Sequence, residues 1–68
     1  MRTITTYRKL GSQDISLSTH GAYSEDYALV IGERPVAIVE SDNPKRITML
    51  VDFLSGLENE GYERVRNA

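Results

Sequence analysis

Cysteine is absent from this 68-residue sequence, which excludes disulfides, iron–sulfur clusters and thiolate zinc sites together. Histidine occurs once, as His20, so a histidine-based metal site would need carboxylate partners or a second chain. Long apolar runs are missing too. The longest aliphatic runs, Ala28 to Ile31 and Val36 to Val39, are far short of the ~20 residues of a membrane-spanning helix. The start of the chain lacks the apolar stretch of a secretion signal. There is no basic excess: 8 Lys and Arg stand against 10 Asp and Glu, net −2, which does not suggest a nucleic-acid or anionic-membrane binder. No glycine-rich phosphate loop, Walker lysine or metal-ligand spacing occurs. These absences leave no cofactor, metal or small-molecule substrate to expect, and they fit a cytoplasmic protein.

What is present is an ordinary globular composition, 40% hydrophobic and 26% charged, read as one small domain over residues 1–68. Folding a chain this short removes only about 60% of the surface that the unfolded chain exposes. Small domains usually add a disulfide, a metal or a second chain, and here only the second chain is left. Charge is uneven along the sequence. Residues 1–10 carry Arg2, Arg8 and Lys9 and no acid; residues 11–44 carry six acids against Arg34; the remainder balances.

The clearest element is a helix over 44–59. Asn43 is a good N-cap and Pro44 a good first helical residue, because the N–H that proline lacks would have no partner there. Ile47, Leu50, Val51, Leu54 and Leu57 then fall at the spacing of a core-facing stripe. Lys45, Thr48, Asp52, Ser55 and Asn59 take the watered side, and Gly61 suits the C-terminal cap.

Ahead of the helix, Tyr27–Ile31 and Arg34–Val39 read as a hairpin closed by Gly32-Glu33 in a type II′ turn. That turn sets Ile31 opposite Arg34, Val30 opposite Pro35, Leu29 opposite Val36, Ala28 opposite Ala37 and Tyr27 opposite Ile38. Alternation then puts Tyr27, Leu29, Ile31, Val36 and Ile38 on one face and Ala28, Val30, Pro35, Ala37 and Val39 on the other. Two weaker strands, over 2–10 and 15–20, are joined by Gly11-Ser12-Gln13-Asp14. The tail 62–66 suits either a short strand or a loop. The expected fold is α+β: a four-stranded antiparallel meander, β-β-β-β-α, with one amphipathic helix on one face. This plan resembles small sheet-plus-helix proteins of bacteria and phages, many of which act by binding another protein; no motif names one family.

Catalysis has little to stand on. His20 is the one imidazole base, and neither Ser18 nor Ser24 has the glycine flanks of a nucleophile elbow. Glu25 and Asp26 are adjacent, so on a strand they would point apart. A basic–aromatic cluster of Arg2, Tyr7, Arg8 and Lys9 offers a nucleic-acid alternative, weakened because Arg2 and Arg8 share one strand face and Tyr7 and Lys9 the other. The stronger signal is surplus apolar surface. One helix covers one face of the sheet, which leaves Ala28, Val30, Ala37 and Val39 over. Met49, Phe53 and Gly56 form a second line on the helix beside the core stripe. Surplus of this kind marks a contact surface. The expected function is therefore a non-enzymatic protein-interaction module: a homodimer that regulates or inhibits an unidentified protein, with these two groups as competing interfaces.

Overall fold

The structure, a computed structural model, describes residues 2–19 and 26–66. The chain runs β1 (Arg2–Arg8), β2 (Ile15–Thr19), β3 (Tyr27–Ile31), β4 (Arg34–Val39), α1 (Pro44–Asn59) and β5 (Glu63–Arg66). The strands form one antiparallel sheet in the order β4-β3-β2-β1-β5. The α+β meander with one helix is as the sequence predicts, and the tail adds a fifth strand beside β1. The helix carries the chain from the β4 edge to the β5 edge across one face, so one helix caps five strands.

The helix occupies the expected residues because both its ends are written locally. The Asn43 side-chain oxygen accepts from the Arg46 N–H at 3.2 Å, satisfying one of the first-turn donors. At the other end Gly61 has φ +97°. The Tyr62 N–H donates to the Leu57 carbonyl at 3.0 Å and the Gly61 N–H to the Glu58 carbonyl at 3.2 Å, the paired bonds of a Schellman cap. Lys9 adds to that end: its Nζ donates to the Glu60 carbonyl at 2.8 Å and stands 5.5 Å from the centre of the Tyr62 ring. A cation belongs there, where the helix dipole presents its negative end.

Tyr7, Ile15, Val39, Leu50, Leu54 and Leu57 form the core, with Leu17, Tyr27, Leu29, Ile31, Ile47 and Tyr62 packed around it. Four of the five stripe residues of the helix take part. Val51 does not: it is 54% exposed, because it lies one step beyond Ile47 around the helix and clears the sheet.

The hairpin turn has the predicted conformation, with Gly32 at φ +65° and Glu33 at negative φ, the type II′ combination. The register holds for Ile31–Arg34 and Val30–Pro35 and then slips. Leu29 faces Ala37, Ala28 faces Ile38 and Tyr27 faces Val39, leaving Val36 as the extra residue of a β-bulge. The predicted pairs of Leu29 with Val36, Ala28 with Ala37 and Tyr27 with Ile38 are corrected accordingly. Beyond the bulge the faces exchange. Val39 goes into the core and Ala37 joins Leu29 on the helix side, while Val36 and Ile38 become exposed. Ala28, Val30, Ala37 and Val39 therefore do not share one face.

A second irregularity falls between Thr3 and Thr5 in β1, with Ile4 as the extra residue. It places Arg2, opposite Thr19, on the helix side, and Arg8 on the other. The expectation that the two arginines share a face is corrected by this bulge.

Candidate interaction surface

Val39, at the inner end of β4, and Leu50 of α1 are both buried in the core. Outward from that contact the two elements diverge. They leave an apolar groove of about 380 Å³ between Ala37, Ile38 and Val39 on one wall and Arg46, Met49 and Phe53 on the other. Phe53 is 43% and Met49 62% exposed. Helical spacing puts both on one flank: the buried residues Leu50, Leu54 and Leu57 define the inward direction, and Met49 and Phe53 lie to the β4 side of it. Gly56 continues the line, and open space surrounds the point where its Cβ would stand. The predicted helix line is thus assembled, with Met49 and Phe53 exposed and Gly56 half-buried.

The competing sheet group is divided. Ala37 and Val39 contribute to the groove, with Val39 mostly inside the core. Ala28 and Val30 lie on the face away from the helix, where Ala28 has 0% exposure, so a partner has nothing of it to touch. Sequence reasoning missed Arg46 as a groove wall. Simple alternation assigns Ala37 to the far face, and only Pro35, a residue at home on edge strands and at bulges, hints that alternation breaks.

The opposite flank of the helix has a smaller slot, about 290 Å³, between Ile4 of β1 and Ile47 and Val51 of α1. At the hairpin tip a wider and more polar depression lies around Gln13, Glu33 and Arg34.

The basic cluster is not gathered. Tyr7 is in the core and presents no face for a base to stack on. Arg8 Nε donates to Asp14 Oδ2 at 3.1 Å, and Lys9 is held at the helix end. The Arg2 backbone N–H donates to Thr19 Oγ1 at 3.3 Å at the far end of β1. Of the catalytic candidates, Ser18 is buried on the face away from the helix, and Asp26 accepts from the Ser41 N–H at 3.3 Å. His20, Ser24 and Glu25 lie outside the described residues. Among the described residues no three histidine or carboxylate side chains come together, and no helix is long and apolar enough to cross a membrane.

Comparison with known protein families, with characterised proteins and with solved structures finds no match.

Proposed function

We propose that this chain is a non-enzymatic, cytoplasmic protein-interaction module that works as a homodimer and regulates or inhibits a macromolecular partner. The observation that carries the reading is the exposed apolar flank of α1 beside the β4 edge. Met49 and Phe53 are exposed side by side next to Ala37, and contiguous exposed apolar surface is a candidate contact surface. Phe53 is the one phenylalanine of the chain. With 43% of its surface exposed, it forgoes somewhat under half of the about 1.5–3 kcal/mol that full burial of such a side chain provides, which a partner would recover.

Sedimentation equilibrium at micromolar concentration tests the reading. The expected mass is twice the 7.6 kDa chain, and Phe53→Asp should give a folded monomer. A wild type that stays monomeric throughout the accessible concentration range refutes the homodimer. The nucleic-acid alternative predicts a gel shift that weakens steeply with salt; none is expected, and one that appears would favour that alternative.

A further inference from the structure

The geometry points to one occupant for the α1 flank: a second copy of the same helix, running antiparallel, with the two-fold axis near Phe53. This rests on the homodimer reading above and specifies its seam.

The line of Met49, Phe53 and Gly56 extends at both ends. Arg46, Met49, Phe53, Gly56 and the cap residue Glu60 recur at alternating spacings of three and four residues, the repeat of a helix seam. All but the half-buried Gly56 are exposed. The line has opposite ends: an arginine at one, a glutamate at the other, and Phe53 midway. At 1.5 Å per residue, Arg46 and Glu60 each lie about 10 Å from Phe53 along the axis. A two-fold axis near Phe53 therefore brings Arg46 of each chain to Glu60 of the other, twice. It also brings each Met49, the most exposed side chain of the line, to within about one residue's rise of the other chain's Gly56, where the missing Cβ leaves room. Phe53 then meets its own copy on the axis. A parallel arrangement would set arginine on arginine, glutamate on glutamate and methionine on methionine, so the pattern selects the antiparallel one.

One further observation agrees, and one sets a condition. Neither the Arg46 guanidinium nor the Glu60 carboxylate forms an ion pair within the chain among the described residues; Lys9 takes the Glu60 carbonyl, not its carboxylate. The apolar area is also short of what a stable dimer needs. A standard interface takes about 800 Å² from each partner, of which about 450 Å² is apolar. The apolar side chains of the line, Met49 and Phe53, expose less than that, so its charged ends have to take part.

Charge reversal tests the seam. Arg46→Glu and Glu60→Arg, each alone, place like charges at both ends of the dimer, and each should raise its Kd about tenfold or more. Both sites are exposed, and circular dichroism should show an unchanged fold. An equimolar mixture of the two variants restores both opposite-charge pairs, and so should the double variant. Both should return to near the wild-type Kd in low salt, with the differences shrinking as salt is added. Dimers of both single variants as tight as wild type, or a mixture no tighter than its components, overturn the seam and leave the homodimer standing on another surface. A wild type that never dimerises overturns the homodimer as well.

Discussion

Leu54→Ala is the sharpest test of how the helix sits on the sheet. Leu54 is 8% exposed and packs in the cluster with Tyr7, Ile15, Val39, Leu50 and Leu57. Truncating a buried leucine to alanine costs between about 2 and 5 kcal/mol, the upper values belonging to sites that keep a closed cavity. This site is not closed, because Leu54 also lines the slot that opens between Ile4 and Val51. Water can reach part of the space vacated, and the exposed Ile4 and Val51 side chains can settle into it. The expected loss is therefore in the lower half of the range, about 2–3 kcal/mol. A domain of this length has a total stability of about 3–10 kcal/mol, so the variant should remain folded in the cold and melt roughly 10–20 °C lower. Urea titration followed by circular dichroism measures it, with wild type and variant at the same protein concentration, since the proposed dimerisation would make apparent stability concentration-dependent. Val51→Ala is the internal control and should cost well under 1 kcal/mol. A loss below about 0.5 kcal/mol for Leu54→Ala, or equal losses for the two variants, would mean that a different face of the helix meets the sheet.

Two further substitutions test the chain reversals. Gly32→Val should destabilise by more than about 1 kcal/mol: it forces a β-branched residue to φ +65°, and its Cβ would start 3.0 Å from the Gln13 amide nitrogen. Glu33→Asn should be nearly neutral, and similar melting temperatures for the two would refute the turn assignment. Gly61→Ala should cost about 1 kcal/mol through its φ of +97° alone, because nothing nearer than 3.7 Å opposes the new methyl. A neutral result in thermal melts would mean that the helix ends some other way.

The helix and its caps are legible in the sequence because their causes are local: Asn43, Pro44 and Gly61 act on their immediate neighbours, and the 3.6-residue period needs no partner to be read. The Gly32-Glu33 turn is legible for the same reason. The bulge at Val36 is not. Alternation assigns faces only when one face is polar, and Val36, Ala37, Ile38 and Val39 are all apolar, so either assignment fits the sequence. The same blindness misplaces part of the candidate surface, since Ala37 reaches the groove wall and Val39 the core only after the slip. Strand β5 has the sequence Glu63-Arg64-Val65-Arg66, with no apolar alternation. Its pairing partner, β1, lies far away in sequence, so pairing decides what propensity does not. Tyr7 sits between Thr6 and Arg8 in sequence, which suggests a basic–aromatic cluster. Neighbours on a strand point to opposite faces, and the core claims the ring while Arg8 turns away to Asp14.

The bulge also bears on which surface of this chain meets a partner. β4 is an edge strand, and an edge of apolar residues invites lateral pairing with another chain. Two features oppose that here. Pro35 has no N–H to offer an incoming strand. At Val36 the extra residue breaks the regular alternation of inward and outward backbone groups, so a straight partner strand cannot follow the edge through it. The same extra residue rotates the remainder of β4, turning Ala37 toward the helix and Val39 into the core beneath it. Without it those two residues would face away, and the wall opposite Met49 and Phe53 would carry the larger side chains of Val36 and Ile38. One inserted residue thus discourages association through backbone ladders and shapes a groove beside the helix. At the β4 edge this favours side-chain contact along α1, as proposed above, over lateral strand pairing. An edge-paired dimer would predict that Phe53→Asp leaves association intact and that a proline at Ile38 abolishes it; the helix seam predicts the reverse for Phe53.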